Sequence, residues 1–555
     1  MTRAARASLV LAALLVAAAV MVRPGRSAGG LRFTDVAPRS RISYRSNNDF
    51  RGRKYFPQPM CGGVAIFDFD NDGRPDIFLT NGARLPELKK SDRSFYNCLL
   101  RNRGDGTFED VSARAGLEGA QLDFSFGVAA GDYDNDGFVD LFICQAGRNA
   151  LYHNNGDGTF SDVTGPAGLL GKPKDLLSVC AAWVDYDGDG RLDLVVSQYT
   201  YWSPAGDLRC TRGDAGEIYC SPKKYRSVPH TLYRNLGGGR FEDASVASGF
   251  AEVAGKGMGI AIADVNDDGR MDVFVANDTE PNFLFVNQGN GRFAEQAASW
   301  GIDYNDRGET VSGMGTDAKD YDNDGRPDVF YNNLQMQIWG LFQNDGGRRF
   351  SYASPSTGLL GLSRRFSGWS NGFIDYDNDG WKDIYSANGD VDYRPDNGEQ
   401  RDSMPRNLDG RSFEDVSLQL GPDFVPKGFQ RGSAFGDLDG DGFEDIVVTS
   451  LNRAPRILLN SGGNGNHWLR VETRGHASNR DGIGCKLKLT LGSGRVLYNH
   501  VTTSVGFLSS SDKRVHFGLG RETRIRALEL RWPSGRLQTL SAVPIDRVFV
   551  VEEPQ

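Results

Sequence analysis

Apolar and polar positions along this chain change places in short runs, and no stretch keeps the three-to-four spacing of an amphipathic helix. Runs such as "GGVAIFD", "FGVAAGD" and "GMGIAIAD" lead into a cluster of aspartates, and "PDIFLTN", "LDLVVSQ" and "MDVFVAN" lead out of it. Two shorter runs follow, as in "LYHN" and then "GDGTFSDVT". Short runs of β-branched and aromatic residues, punctuated by Gly, Asn and Asp, predict strands joined by tight turns. The unit is four strands with an aspartate loop between the first and the second.

The loop occurs seven times at intervals of roughly 55 to 80 residues, which predicts stacked supersecondary units. It places Asp68, Asp70, Asp72 and Asp76 in the first copy, Asp132, Asp134, Asp136 and Asp140 in the second, and Asp185, Asp187, Asp189 and Asp193 in the third. The fourth has Asp264, Asn266, Asp268 and Asp272, and the fifth Asp320, Asp322, Asp324 and Asp328. Asp375, Asp377, Asp379 and Asp383 form the sixth; Asp437, Asp439, Asp441 and Asp445 form the seventh. Seven four-stranded repeats predict an all-β fold, a seven-bladed β-propeller. The outer strand carries a Phe at 108, 160, 241, 293, 350 and 413 but is missing after the seventh loop. "RFTDVA", with Phe33 and Asp35, stands ahead of the first loop instead, so the N-terminal strand is expected to close the last blade and leave no free edge. About six short strands from His467 to Glu552 predict a small C-terminal β-sandwich.

Counted from its first aspartate, each loop has oxygen donors at positions 1, 3, 5 and 9 and Gly at 6, the ligand spacing of the first part of an EF-hand calcium loop. The carbonyl of Arg74, at position 7, would add a ligand in the first copy, and Gly73 permits the turn. No Glu stands at position 12, where Leu79 and Ile143 begin strands, so these are expected to be calcium loops between strands, binding up to seven Ca2+. Seven divalent cations more than cancel the formal net charge of −9, so the acidic balance is ligand and not a surface for basic partners.

Gly is 70 of 555 residues, in keeping with a turn-dense globular chain. Arg3 and Arg6 precede an apolar run from Leu9 to Val22 and Pro24, the pattern of an export signal. The expected organisation is a signal peptide or N-terminal anchor over 1–28, the propeller over 29–462 and a C-terminal domain over 463–555. The chain is expected to be secreted, periplasmic or at the cell surface. Of the seven cysteines, Cys210 and Cys220 bracket the polar "CTRGDAGEIYC" in an unusually long repeat and are the best disulfide candidates; Cys61 with Cys98 is a weaker pair. Cys144, Cys180 and Cys485 lie in strand-like runs as buried free thiols.

The loops with their partners "LYHNNGDGTFSDVT" and "LYRNLGGGRFEDAS" resemble FG-GAP/VCBS repeats, which form seven-bladed propellers related to that of integrin α chains. The end of the chain, from "GNHWLRVETRGHASNRDGIGCKLKL" to "ALELRWPSG", resembles the ASPIC/UnbV domain, which accompanies such repeats in the cartilage acidic protein-like family and in many exported bacterial proteins. The resemblance implies calcium-binding propeller loops.

Catalytic motifs are weak. "GWSNG" matches a nucleophile elbow, but repeat register puts Ser370 in a first strand, without the strand-to-helix turn that motif needs. The six histidines have no zinc spacing, and no phosphate-binding glycine loop precedes a helix. Nucleic acid is excluded as a partner because no basic groove with aromatics is present. The leading expectation is a non-catalytic binding or adhesion module for a protein or glycan ligand, using the insertion from Tyr199 to His230, with membrane contact only through an uncleaved N-terminal anchor. The alternative is a metal-assisted carbohydrate-active enzyme of the lyase or dehydratase type using the propeller cleft, for which the polar clusters Asn277, Asp278, Glu280 and Asp390, Asp392 are the candidates.

Overall fold

Each aspartate loop joins two strands that the flanking apolar runs bury completely. In the computed structural model, which describes residues 30–213, 216–393 and 398–555, Val64–Phe67 pairs antiparallel with Asp76–Leu79, followed by Cys98–Asn102 and Phe108–Asp110. The leader expected over 1–28 lies outside the described residues. The same four-strand order recurs in Gly257–Ala263, Asp272–Asn277, Phe283–Gly289 and Arg292–Glu295, and from Thr316–Lys319 to Arg349–Tyr352. With 41% strand and 6% helix, the protein is all-β. First and second strands are buried on both faces, whereas the outer strand is largely exposed: Phe108 is buried while Glu109 and Asp110 are exposed.

Phe33–Asp35 pairs antiparallel with Arg456–Asn460, in the register Phe33↔Asn460, and completes a four-stranded sheet with Gln430–Gly436 and Asp445–Ser450. Three units depart from the simple repeat. The second and third share a sheet through the pair Leu177↔Ala146. In the sixth, Gly368–Ile374 with Asp383–Asn388 and Pro405–Leu408 with Ser412–Asp415 form separate two-stranded sheets joined by the bridge Ser386↔Ser403, because a long segment intervenes between them.

Apolar clusters fill the spaces between consecutive units. Ala65 and Phe78 of the first pack with Val128 and Leu141 of the second. Val64 and Ile66 of the first pack with Ala434 and Val447 of the last. Each large side chain fully buried in this way contributes about 1.5–3 kcal/mol.

The insertion in the third unit has little apolar core. It holds a two-stranded ribbon, Cys210–Thr211 with Glu217–Ile218, and the Cys210–Cys220 disulfide, whose Cα atoms are 5.2 Å apart. Phe56 stacks on Tyr225 at 3.9 Å and on Tyr199 at 5.4 Å, tying the insertion to the N-terminal segment. Replacing both cysteines by Ser is expected to cost about 3 kcal/mol of local stability. The measurement is limited proteolysis: cleavage within 201–226 at least tenfold faster than in the parent, with the remainder intact. Cys61 and Cys98, the weaker pair, are not bridged. Both are buried free thiols in different apolar clusters. Cys144, Cys180 and Cys485 are buried and free, as expected.

The C-terminal region has eight strands where about six were expected. His467–Arg474, Val515–Gly520 and Val548–Glu552 form one sheet; Lys486–Leu491, Val496–His500, Ile525–Arg531 and Leu537–Leu540 form another. The eighth, Ser509–Ser510, leaves the domain and pairs parallel with Val64 and Ala65. Its loop touches the first strand of every repeat. Ser510 Oγ accepts from the Ala130 amide, Leu508 N donates to Cys180 Sγ, and Ser504 Oγ donates to the Ile260 carbonyl. Gly506 exchanges backbone bonds with Thr316, Phe507 N donates to Ser370 Oγ, and Ser509 Oγ accepts from the Ser433 amide. The segment 502–511 is thus a plug held by the first strands of all seven repeats. Gly506, at φ +82°, is required there, since a Cβ would meet Ser370 Oγ at 2.3 Å and the Asn371 carbonyl at 2.6 Å.

Candidate metal centres

Position 1 of each loop accepts from the loop's own backbone. Asp68 takes the amide of Asp72 at 3.1 Å and that of Gly73 at 2.7 Å, and Asp132, Asp264, Asp320 and Asp375 repeat the pattern. Position 4 turns left-handed, with Asn71 at φ 55° and Gly188 at φ 74°, which is why Asn, Asp or Gly stands there. Carboxylate oxygens of positions 1, 3 and 9 lie within 4.8 Å of one another in Asp68, Asp70, Asp76, in Asp185, Asp187, Asp193 and in Asp320, Asp322, Asp328. Asp132, Asp134 and Asp136 gather likewise.

Position 5 behaves differently from the EF-hand analogy. The carboxylates of Asp72, Asp189 and Asp324 each pair with the guanidinium two residues on, Arg74, Arg191 and Arg326. Position 9 is first of all a brace. Asp76 Oδ2 accepts from Phe69 N at 3.1 Å and its Oδ1 from Asn102 N at 2.7 Å. The same bond to a third-strand Asn recurs for Asp140, Asp193, Asp272, Asp328, Asp383 and Asp445, all at 2.7–2.8 Å.

Those asparagines were not singled out from sequence, although the Asn of "LYHN" and "LYRN" recurs in every unit. Each side-chain amide donates to the carbonyl at position 2 of the preceding loop: Asn154 to Phe69, Asn235 to Tyr133, Asn287 to Tyr186, Asn344 to Val265, Asn407 to Tyr321 and Asn460 to Tyr376. Asn102 donates to Leu438 of the seventh loop at 2.7 Å. The seven loops are therefore joined head to tail in a closed circuit of hydrogen bonds.

The residue before that Asn sets the charge at position 3. Arg101, Arg234 and Arg406 hold one oxygen of Asp70, Asp187 and Asp377 at 2.7–2.9 Å. The other oxygen of the same three aspartates is buried without a hydrogen-bond partner. A hard cation is the partner such oxygens lack, so the donor set fits Ca2+. Burial, and after it the neighbouring carboxylates, push Asp76 and Asp272 up to about 8. The fourth loop fits least well. Asn266 replaces a carboxylate, and Lys486 of the C-terminal domain reaches Asp264 at 3.2 Å. In the second, His153 lies 3.3 Å from Asp140 and 3.4 Å from Asp134.

The C-terminal domain docks on the loop face. Its segment "SNRDGIG" supplies Asp481, which accepts from Asp132 N at 2.9 Å, and Arg480, whose amide donates to Asn135. The other polar clusters lie at the opposite strand ends and tie loops together: Asp278 accepts from Tyr199 at 2.6 Å, Glu280 pairs with Lys256, and Asp392 with Lys54. Ser370 is buried in Gly368–Ile374, as the repeat register required.

Repeats of this construction place the chain in a recognisable class. The FG-GAP-like repeat matches residues 68–143, 132–196, 225–275, 264–331 and 320–386, and the ASPIC and UnbV domain matches 475–555. The chain belongs to the family in which FG-GAP-like repeats are followed by an ASPIC and UnbV domain. It is 26% identical to cartilage acidic protein 1 of Mus musculus over 531 residues, 89% of this chain and 74% of that protein. The Homo sapiens protein of that name is 25% identical, over 87% of this chain and 70% of its own. Among solved structures, an Agrocybe aegerita lectin specific for non-reducing terminal N-acetylglucosamine aligns at TM-score 0.41 and 16% identity, covering 70% of this chain and 88% of the lectin. A Bacillus licheniformis rhamnogalacturonan lyase aligns at 0.38 and 12%, over 77% and 75%.

Proposed function

We propose that this chain is an exported calcium-binding protein. Its repeats form a seven-bladed β-propeller closed by the N-terminal strand over 29–462, with a β-sandwich over 463–555. It serves as a non-catalytic binding module for a protein or glycan. The observation that carries the calcium reading is the set of buried, unpartnered position-3 oxygens at Asp70, Asp187 and Asp377 inside a closed circuit of loops. Asp68, Asp70, Asp72 and Asp76, with their counterparts in the other loops, would hold the ions; bound Ca2+ would supply charge compensation and rigidity.

The plug bears on the enzyme alternative, because the axis that a central catalytic metal would occupy is filled by 502–511. The C-terminal domain covers the loop face, so the opposite strand ends are left for a ligand. There the insertion exposes Tyr201 and Leu208, and the loop after Tyr331 exposes Met336 at 73%. Exposed apolar side chains on a loop held by a rigid scaffold are binding anchors. The test is a panel of glycans and extracellular proteins, presented in calcium to the parent and to Tyr201→Ala/Leu208→Ala. Binding to one class, weakened at least tenfold in the variant with unchanged melting temperature, is the expected result. Equal binding by the variant would move the site elsewhere.

A further inference from the structure

A second centre of charge adjoins the sixth and seventh aspartate loops, in a cleft of about 40 Å³ between the strands of the fifth to seventh repeats and the C-terminal domain. Its key residue is Arg470, on the strand His467–Arg474, with a side chain 1% exposed. Two of its guanidinium nitrogens, Nε and Nη2, are buried and have no hydrogen-bond partner. Its carboxylate neighbours lie within ion-pairing distance but leave Nε and Nη2 without a hydrogen bond, and both carboxylates are otherwise engaged. Asp437 is 3.5 Å from Nε and accepts the amides of Gly440 and Gly442 as position 1 of the seventh loop. Asp512 is 3.8 Å from Nη1 and is held by Arg514 at 2.8 Å.

Two further cations line the cleft. Lys382 is buried and donates to the carbonyls of Asp320 and Tyr498, both at 2.8 Å; Lys319 reaches the carbonyl of Phe373 at 3.4 Å. Lys513, also in the lining, is paired with Asp481. Of the lining carboxylates, Asp375 belongs to the sixth aspartate loop and Glu444 accepts the Asp375 amide. The buried face of His516 adds Nδ1 without a partner, its Nε2 being bonded to Asn378 at 2.7 Å.

A buried guanidinium with unused N–H groups costs several kcal/mol unless a negative partner meets it. The space suits a small ion, and the donors are fixed in direction by the strand that carries Arg470. We propose that this cleft is a binding site for a small monovalent inorganic anion of the size of chloride, held by Arg470 with Lys319 and Lys382 and clamping the C-terminal domain against the repeats. A phosphate ester or carbohydrate is too large for it. The ion neutralises cations whose carboxylate neighbours, Asp437 and Asp375, are shared with the aspartate loops, so the site works with the loops filled by metal and takes no part in ligand recognition on the opposite face.

The experiment uses the full chain in saturating calcium. Melting temperature is followed as chloride replaces isethionate at constant ionic strength, and crystals are soaked in bromide for anomalous scattering. A saturable rise in melting temperature, a bromide peak within hydrogen-bond reach of Arg470, and at least a tenfold higher half-saturating chloride in Arg470→Met are the expected results. Lys319→Met, at a half-exposed position, should shift the half-saturation severalfold while folding normally. No bromide peak together with identical melting in the two salts would overturn the proposal and leave water as the occupant.

Discussion

Stripping divalent metal with a chelator is expected to lower the melting temperature of the protein by more than about 10 °C and to loosen the repeats together. Each bound ion stabilises the folded chain by about 2.7 kcal/mol when present at a hundredfold excess over its dissociation constant, so even four occupied loops contribute on the order of 10 kcal/mol. Without metal, Asp70, Asp187 and Asp377 keep a buried oxygen with no partner, and burial with like charge holds Asp76 and Asp272 in the protonated range. The closed circuit of asparagine bonds means that a loop that opens pulls on the next. Hydrogen exchange should therefore rise in all first and second strands at once. Metal analysis of the native protein should find several calcium per chain, with the fourth loop the first to empty, because Asn266 offers no charge and Lys486 competes at Asp264. Unchanged melting in chelator would sink the calcium reading.

The second large effect concerns the plug. Phe507 and Leu508 are fully buried, and replacing both by Ala is expected to cost about 5 kcal/mol or more, since each truncation leaves a cavity that the surrounding strands cannot fill. The domain should then swing away from the loop face. Proteolysis in the connection at 461–466, and a larger radius by small-angle scattering, report that movement. A variant that stays compact and uncut would make the plug a passive filler and place the docking energy in contacts such as Arg480 with Asn135.

Much of this was legible along the chain because it repeats or is local. The aspartate loops, the strands around them, the bond between Cys210 and Cys220, and the pairing of Phe33–Asp35 with the end of the last repeat all follow from spacing and alternation. The asparagine circuit was written in every "LYHN"-like strand, yet its meaning needs the neighbouring loop, 79 to 102 residues away in sequence and 336 for the bond that closes the circuit. The pairing of position 5 with an arginine at position 7 was not anticipated from the EF-hand analogy, although Asp136 at that position still gathers with Asp132 and Asp134. The plug left no local mark. "VTTSVGFLSSSD" looks like any polar turn, and its partners at Thr316, Ile260 and Ala130 lie hundreds of residues upstream, where no periodicity points to them.

The pairing of Phe33–Asp35 with Arg456–Asn460 has a consequence for biosynthesis. Asp35 Oδ1 accepts the amide of Ile457, 422 residues later, so the first strand made is among the last to find its place. A chain stopped anywhere before Asn460 carries an unpaired strand at one end and an unpaired sheet edge at the other, both competent to recruit a second nascent chain. Production of this protein is therefore sensitive to premature termination out of proportion to the residues lost. Trimming a few residues from Phe33 onward should cause aggregation as readily as removing a whole repeat.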